Sequence, residues 1–371
     1  MSGLAPLRAS SSAADVMPLH GIDHVEWWVG NAKQAAYVFV HALGFEQLAY
    51  AGLETGQRDH VSYVVGQGDI RFVLTGALRG GGPVAEHHHR HGDGVRDIAL
   101  AVPDVDAAWI HARAQGAAGV EEPHDIEDEH GTVRRATIAT FGDTVHTFVD
   151  RSAYDGPFLP GFVTRRAGRD AGLLLGIDHV VGNVPEMGPW VAFYERVLGM
   201  RELAHFSGEA VSTEYSALMS KVVSSGDGVV KFPINEPATG RRRSQVEEYL
   251  EFYDGPGAQH VALTTADIIG TVAELRRRGV EFLSIPDSYY DDLPDRVPEA
   301  AGRLAELRAQ GILVDRDDEG HLLQVFTAPS GDRPTTFFEV IERHGARGFG
   351  EGNFKALFQA LEREQERRGN L

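Results

Sequence analysis

A chain of 371 residues is too long for one ordinary core, so two domains or one large duplicated domain are expected. Its formal net charge of −19 argues against nucleic acid or an anionic membrane as partner, because a polyanion would be repelled. The absence of cysteine excludes disulfides, thiolate zinc sites, iron–sulfur clusters and cysteine nucleophiles, which leaves histidine and carboxylates to carry any metal chemistry.

Residues 1–18 are rich in Ala and Ser but have neither a basic start nor an apolar core segment, so they read as a disordered lead-in and not a signal peptide. No later stretch approaches membrane-spanning length, and a cytoplasmic location is expected. From His20, HGIDHVEWWVGNAKQAAYVFVHALGFEQLAY reads as strand, turn, amphipathic helix ending at Leu-Gly, then a new strand. HVSYVVGQGDIRFVLTG, from His60, continues in strand alternation. The run His87 to His91 follows a glycine-rich loop and reads as a solvated loop or helix face with adventitious metal binding. GDGVRDIALAVPDVDAAWIHARAQGA, from Gly92, gives a glycine-rich turn, a strand and a helix. Residues 160–174, with a basic run, read as a linker.

The second half repeats this order. LGIDHVVGNVPEMGPWVAFYERVLGMRELAHF, from Leu175, matches the first stretch, with Trp190, Tyr194, Val197 and Leu198 at helical spacing and Gly199 placed for a left-handed cap. GPGAQHVALTTADIIGTVAELRRRGV, from Gly255, matches the stretch from Gly92. The basic run Arg241 to Arg243 reads as solvated surface, and the glycines near Gly348 lack the strand–turn–helix setting of a dinucleotide fingerprint. The chain is therefore expected to be α+β, with four copies of one strand–helix–strands unit. Two copies should curl together in each of two domains, 19–159 and 175–371.

Three residues stand out in the second domain. By strand alternation His179 shares a face with Ile177 and Val181, and His260 with Ala262 and Thr264. LLQVFTAPSGDRPTTFFEVIE reads as a hairpin, with Leu322, Gln324 and Phe326 on one face of its first strand and Phe337, Glu339 and Ile341 on one face of its second. A buried carboxylate among aromatics is costly unless paired, and a metal ion would settle that cost. Each histidine alone reads more simply as a hydrogen-bonded core residue. Together with Glu339 they make a two-histidine, one-carboxylate set, the kind that leaves coordination positions open on non-haem Fe(II). The repeat equivalents in the first domain are His24, Asp97 and Thr147, a lost ligand set. One metal per chain is thus expected, with the first domain structural. The C-terminal EGNFKALFQALEREQERR fits an amphipathic helix with Asn353 as N-cap and Phe354, Leu357, Phe358 and Leu361 on one face.

The segments GIDHVVGNV, TEYSALMSKVV, VKFPINEPA, SQVEEYLEFYDGPGAQHVAL, PDSYYDDL and LLQVFTAPSGDRPTTFFEVIERHGARGFGEGNFKALFQALEREQ resemble the 4-hydroxyphenylpyruvate dioxygenases, of the vicinal oxygen chelate superfamily. The resemblance covers nearly the whole chain. It implies two vicinal-oxygen-chelate domains, each from two βαβββ units forming an open barrel, with a C-terminal helix over the active site. It implies Fe(II) on His179, His260 and Glu339, and substrate contacts from Ser216, Asn235, Gln245, Gln259, Gln324, Phe326 and Phe337. It places Phe349, Phe354 and Leu357 on or near the gating helix. The implied reaction converts 4-hydroxyphenylpyruvate and O₂ to homogentisate and CO₂ in tyrosine catabolism, in a homodimer or homotetramer. Two rivals remain: the sister hydroxymandelate synthases, which hydroxylate the benzylic carbon of the same substrate, and metal-free small-molecule binding proteins of the same fold.

Overall fold

The computed structural model describes residues 16–165, 172–206, 217–238 and 243–370. Two strongly curled sheets organise them. The first contains β1 Gly21–Val29, β2 Glu46–Ala51, β3 His60–Gln67, β4 Ile70–Ala77, β5 Gly94–Ala101, β6 Gly119–Asp128, β7 Gly131–Ala139, β8 Val145–Tyr154 and the short β9 Val163–Thr164. The second contains β10 Gly176–Asn183, β11 Arg201–Phe206, β12 Ala217–Ser224, β13 Lys231–Ala238, β14 Gly257–Thr264, β15 Leu313–Arg316, β16 His321–Phe326 and β17 Phe337–His344. The helices are α1 Ala32–His41, α2 Pro83–His91, α3 Val105–Ala114, α4 Gly188–Val197, α5 Gln245–Phe252, α6 Ile268–Arg277, α7 Leu293–Arg296, α8 Leu304–Gln310 and α9 Phe354–Arg368.

The spatial order, β6-β7-β8-β5-β1-β4-β3-β2-β9 and β11-β12-β13-β10-β14-β17-β16-β15, displays the expected duplication. In each sheet two units meet through one antiparallel pair, β1 with β5 and β10 with β14. Each unit closes through a parallel pair: β1/β4, β5/β8, β10/β13 and β14/β17. The helix of each unit supplies the crossover that a parallel pair requires. The βαβββ reading therefore stands. Two details lay beyond it: short helices between 287 and 310 interrupt the fourth unit, and Val163–Thr164, inside the expected linker, pairs with β2.

The core lies between the convex sheet faces and the helices, where Val180, Val261, Phe338 and Val340 pack with Tyr194, Val197, Val272 and Leu275. The concave face of the second sheet is reserved for His179, His260, Gln324 and Glu339, all buried. Gly199 has φ +63°, as its place after α4 requires.

Three expectations need correction. Ile177 does not share the face of His179. A β-bulge between these residues breaks the alternation, so Ile177 packs with Val180 against the helices while His179 and Val181 face the interior. The His87–His91 run is not a solvated face: it forms the end of α2, and His87 and His91 are 5 % and 1 % exposed. Asn353 stands at the start of α9 but its side chain does not cap the helix; its Oδ1 accepts a 2.6 Å hydrogen bond from the Tyr289 hydroxyl.

Candidate metal centre

Three adjacent strands bring the expected ligands together. His179 comes from β10, His260 from β14 and Glu339 from β17, where Glu339 pairs with Ala262, two residues beyond His260 on the same face. Their ligand atoms lie within 4.8 Å of one another, and all three side chains are buried. The Nε2 atoms of both histidines stand 3.3 Å from the same oxygen, Glu339 Oε2. Donors about 2.1 Å from one cation, at angles near 100°, are separated by about this distance. The opposite ring nitrogens are held away from the centre: His179 Nδ1 meets Asp178 Oδ1 at 2.7 Å and His260 Nδ1 meets Gln259 Oε1 at 2.9 Å. That fixes the Nδ1–H tautomer and turns each Nε2 lone pair inward. The residues thus fit a borderline divalent cation such as Fe(II), which imidazole and carboxylate suit.

The electrostatics are those of a closed charge cluster. Burial pushes the Glu339 carboxyl up, but the two histidines outweigh it and bring it down to about 2. Burial pulls the His179 imidazolium down, yet Glu339 and Asp178 reverse this and its pKa rises. For His260 burial prevails and the pKa falls.

A support shell that the sequence reading missed lies behind His179. The Asp178 carboxylate accepts two hydrogen bonds from Arg343, at 2.8 and 2.9 Å, and one from Lys231 at 3.3 Å. Arg343 also donates to the Gly348 carbonyl at 2.7 Å, and its guanidinium lies 5.5 Å from the Phe349 ring, which meets His179 edge-on at 5.2 Å. The first sheet carries the same device. Asp23 accepts from His24 at 2.6 Å and from Arg151 at 2.5 and 2.7 Å; Arg151 lies 5.4 Å from Phe158, and Phe158 meets His24 edge-on at 5.0 Å. Arg71, 3.7 Å from Asp23, stands where Lys231 stands beside Asp178, and of the three inward-facing positions His24 is retained while Asp97 and Thr147 replace His260 and Glu339. There Asp97 takes the Thr147 hydroxyl at 2.5 Å and the Thr147 N–H at 3.0 Å, which closes the pocket with hydrogen bonds. The signal available in the sequence was the shared Ile-Asp-His of β1 and β10.

A cavity of about 60 Å³ borders the centre, lined by Asn235, Gln245, Gln259, Phe326 and Phe337 together with the ligands. Phe337 stacks on His260 with centroids 4.8 Å apart. Phe349, Phe354, Leu357 and Phe358 close the opposite side, so α9 covers the opening. Val181, Ser220, Val222, Pro233 and Phe358 also line it, and the sequence reading had not named them for the pocket. Asn235 Nδ2 donates to Asn183 Oδ1 at 3.1 Å, and Gln259 Nε2 to Gln245 Oε1 at 3.3 Å. Gln324 stands apart from the lining; it is buried behind Gly350, with neither amide atom hydrogen-bonded. Ser216 lies outside the described residues.

Comparison with known proteins agrees with this architecture. Residues 14–158 match the family model "Hydroxyphenylpyruvate dioxygenase, HPPD, N-terminal", and residues 176–325 match that of the glyoxalase/bleomycin resistance protein/dioxygenase superfamily. The 4-hydroxyphenylpyruvate dioxygenase of Yarrowia lipolytica is 47% identical over 95% of this chain and 93% of its own length; that of Dictyostelium discoideum is 48% identical over 95% of this chain and 100% of its own. Among solved structures, a triple mutant of the 4-hydroxymandelate synthase from Streptomyces coelicolor superposes with a TM-score of 0.86 at 34% identity, covering 94% of this chain and all of its own. No helix among the described residues is long and apolar enough to cross a membrane. On sequence identity across nearly its whole length and on the form of its two sheets, the chain belongs to the 4-hydroxyphenylpyruvate dioxygenase family.

Proposed function

We propose that this chain converts 4-hydroxyphenylpyruvate and O₂ to homogentisate and CO₂, with one Fe(II) per chain held by His179, His260 and Glu339. The observation that carries the assignment is the convergence of two buried Nε2 atoms on one buried carboxylate oxygen, each at 3.3 Å. Bound there, Fe(II) would supply open positions for the keto acid and O₂ and the electrons for oxidative decarboxylation. The protein's own part is binding and exclusion. Asn235, Gln245 and Gln259 offer neutral amides that orient a phenol and a keto acid without burying further charge. Phe326 and Phe337 flank the aromatic ring. Gln324 is reached only if Gly350 and the segment above it shift, because a single Cβ at Gly350 would already meet its amide at 2.6 Å. Ser216 belongs to the same proposed shell.

The cavity of about 60 Å³ is much smaller than the roughly 300 Å³ that drug-sized ligands occupy. Substrate access therefore requires Phe349, Phe354, Leu357 and α9 to move outward, and their return excludes water from the reacting atoms. The division at 19–159 and 175–371, with 160–174 between, and a structural role for the first domain are part of this reading, supported by the hydrogen-bonded Asp97–Thr147 pair in place of ligands. So are a cytoplasmic location and a homodimer or homotetramer, the latter tested by sedimentation. Replacing His179, His260 or Glu339 by Ala should abolish Fe(II) binding and turnover together; retained turnover in any of the three would refute the assignment. The likeness to a hydroxymandelate synthase supports a second reading, benzylic hydroxylation of the same substrate.

A further inference from the structure

Outside this centre, the described residues contain one other group of histidine and carboxylate side chains with converging ligand atoms: His87, His91 and Asp143, again within 4.8 Å of one another. His87 and His91 are one helical turn apart on α2, so both rings leave the same side of the helix, the spacing by which paired histidines hold zinc. Asp143 approaches from the turn before β8, and its side chain is 44 % exposed, which gives an ion a route from solvent.

The hydrogen bonds prepare the two imidazoles differently. His91 Nδ1 faces the Tyr253 carbonyl, which only an N–H can satisfy, so its Nε2 is turned toward Asp143 Oδ2 at 2.8 Å. A backbone carbonyl on one nitrogen and a cation on the other is the usual support of a metal-binding histidine. His87, 5 % exposed, has no hydrogen bond at either ring nitrogen. Its ring lies 4.6 Å from that of His91 and edge-on to Trp28 at 5.3 Å. An ion pair between His91 and Asp143 would satisfy those two residues and leave His87 idle; a cation satisfies all three. One guanidinium competes for the carboxylate: Arg90 reaches Asp143 Oδ2 at 3.2 Å, whereas Arg96 donates to the Asp143 backbone carbonyl and leaves the side chain free of it. Arg90 is half exposed and is also held by Asp254 at 2.8 Å, so it can yield the carboxylate oxygen and keep a partner.

We propose that His87, His91 and Asp143 form a second metal site, separate from the iron centre, for a divalent cation of the zinc type. Two imidazoles and a carboxylate match the borderline preference of that ion, with water completing the coordination. The ion would fasten α2 to the 140–144 turn on the surface that meets Tyr253 and Asp254 of the second half, and so strengthen the contact between halves without touching substrate.

The test is equilibrium dialysis of the full chain against Zn²⁺, with metal per chain counted by mass spectrometry. The wild type should hold two ions, His87→Ala and Asp143→Asn one each, Glu339→Ala one, and the His87→Ala/Glu339→Ala pair none; His87→Ala should keep its Fe(II)-dependent turnover. A wild type that holds a single ion lost in Glu339→Ala, or a His87→Ala protein that still holds two, overturns the proposal. Should circular dichroism show His87→Ala unfolded, the count for Asp143→Asn, a half-exposed position, decides. Anomalous scattering at the zinc edge from wild-type crystals checks the place without any variant: a peak about 2.1 Å from His91 Nε2 is expected, and its absence refutes the site.

Discussion

The duplicated Asp–His–Arg device allows one substitution to be judged against its own copy. In Asp178→Asn the amide oxygen can still accept from His179, but the carboxylate that took two hydrogen bonds from Arg343 and one from Lys231 is lost. Burial alone would raise the Asp178 carboxyl, yet His179 and Arg343 hold it well below the usual carboxylate range, so the wild-type group is ionised at neutral pH. Removing one member of a buried charge cluster costs about 3–5 kcal/mol. The lower end applies here, since Arg343 and Lys231 each keep 17 % side-chain exposure and regain some water. Losing the support of a metal-binding histidine typically weakens metal affinity by about 10–100-fold, or about 1.4–2.8 kcal/mol. Asp23→Asn in the first sheet breaks the matching contacts with His24 and Arg151. It should lower stability by a comparable amount and leave metal affinity unchanged. The assays are anaerobic Fe(II) titration and thermal melting of both variants. Metal affinity within twofold of wild type in Asp178→Asn, or equal weakening in Asp23→Asn, would refute the argument that this device orients the ligand.

Two further outcomes follow from other contacts. Glu248 on α5 is buried and accepts from Arg368 at 2.8 and 3.3 Å and from Asn370 at 2.8 Å, which pins the end of α9. Arg368→Ala should leave Glu248 underpaired, at a cost of about 1–3 kcal/mol. Hydrogen exchange across 354–368 should then rise while Fe(II) affinity stays unchanged; unchanged exchange would show that α9 is held elsewhere. His146, fully buried, donates from Nδ1 to the Ile98 carbonyl at 2.8 Å and accepts from the Tyr194 hydroxyl at 2.9 Å. Burial pushes its pKa from the ordinary 6.5 down to about 4. The group is lowered on folding, so the unfolded chain binds the proton first, and stability present above pH 6.5 is lost as pH falls toward 4. That lowering corresponds to about 3 kcal/mol. Denaturant titrations should show a steeper acid loss for wild type than for His146→Gln across that window, and parallel curves would contradict the assignment.

Much of the fold was legible because the repeat doubles every signal. The alternation of β14, β16 and β17 placed His260, Gln324 and Glu339 on one face, and the structure keeps them there. It failed on β10 because a bulge adds a residue, and a period of two cannot reveal where an extra residue is spent. The burial of α2 was hidden for a chemical reason: histidine reads as polar, while His87 and His91 lie under Tyr253 and Trp28 from distant parts of the chain. Asp178 and Arg343 are 165 residues apart, so their pairing follows from sheet order, which composition does not encode. The Asn353 side chain was claimed by Tyr289 in preference to the helix it precedes, a tertiary contact that outweighs a capping preference.

The most direct measurement is the product formed by the Fe(II)-loaded chain from 4-hydroxyphenylpyruvate under O₂. Homogentisate with one equivalent of CO₂, lost together with bound iron in Glu339→Ala, is the predicted result. Hydroxymandelate as the product, or turnover that survives removal of the Glu339 carboxylate, would contradict the account.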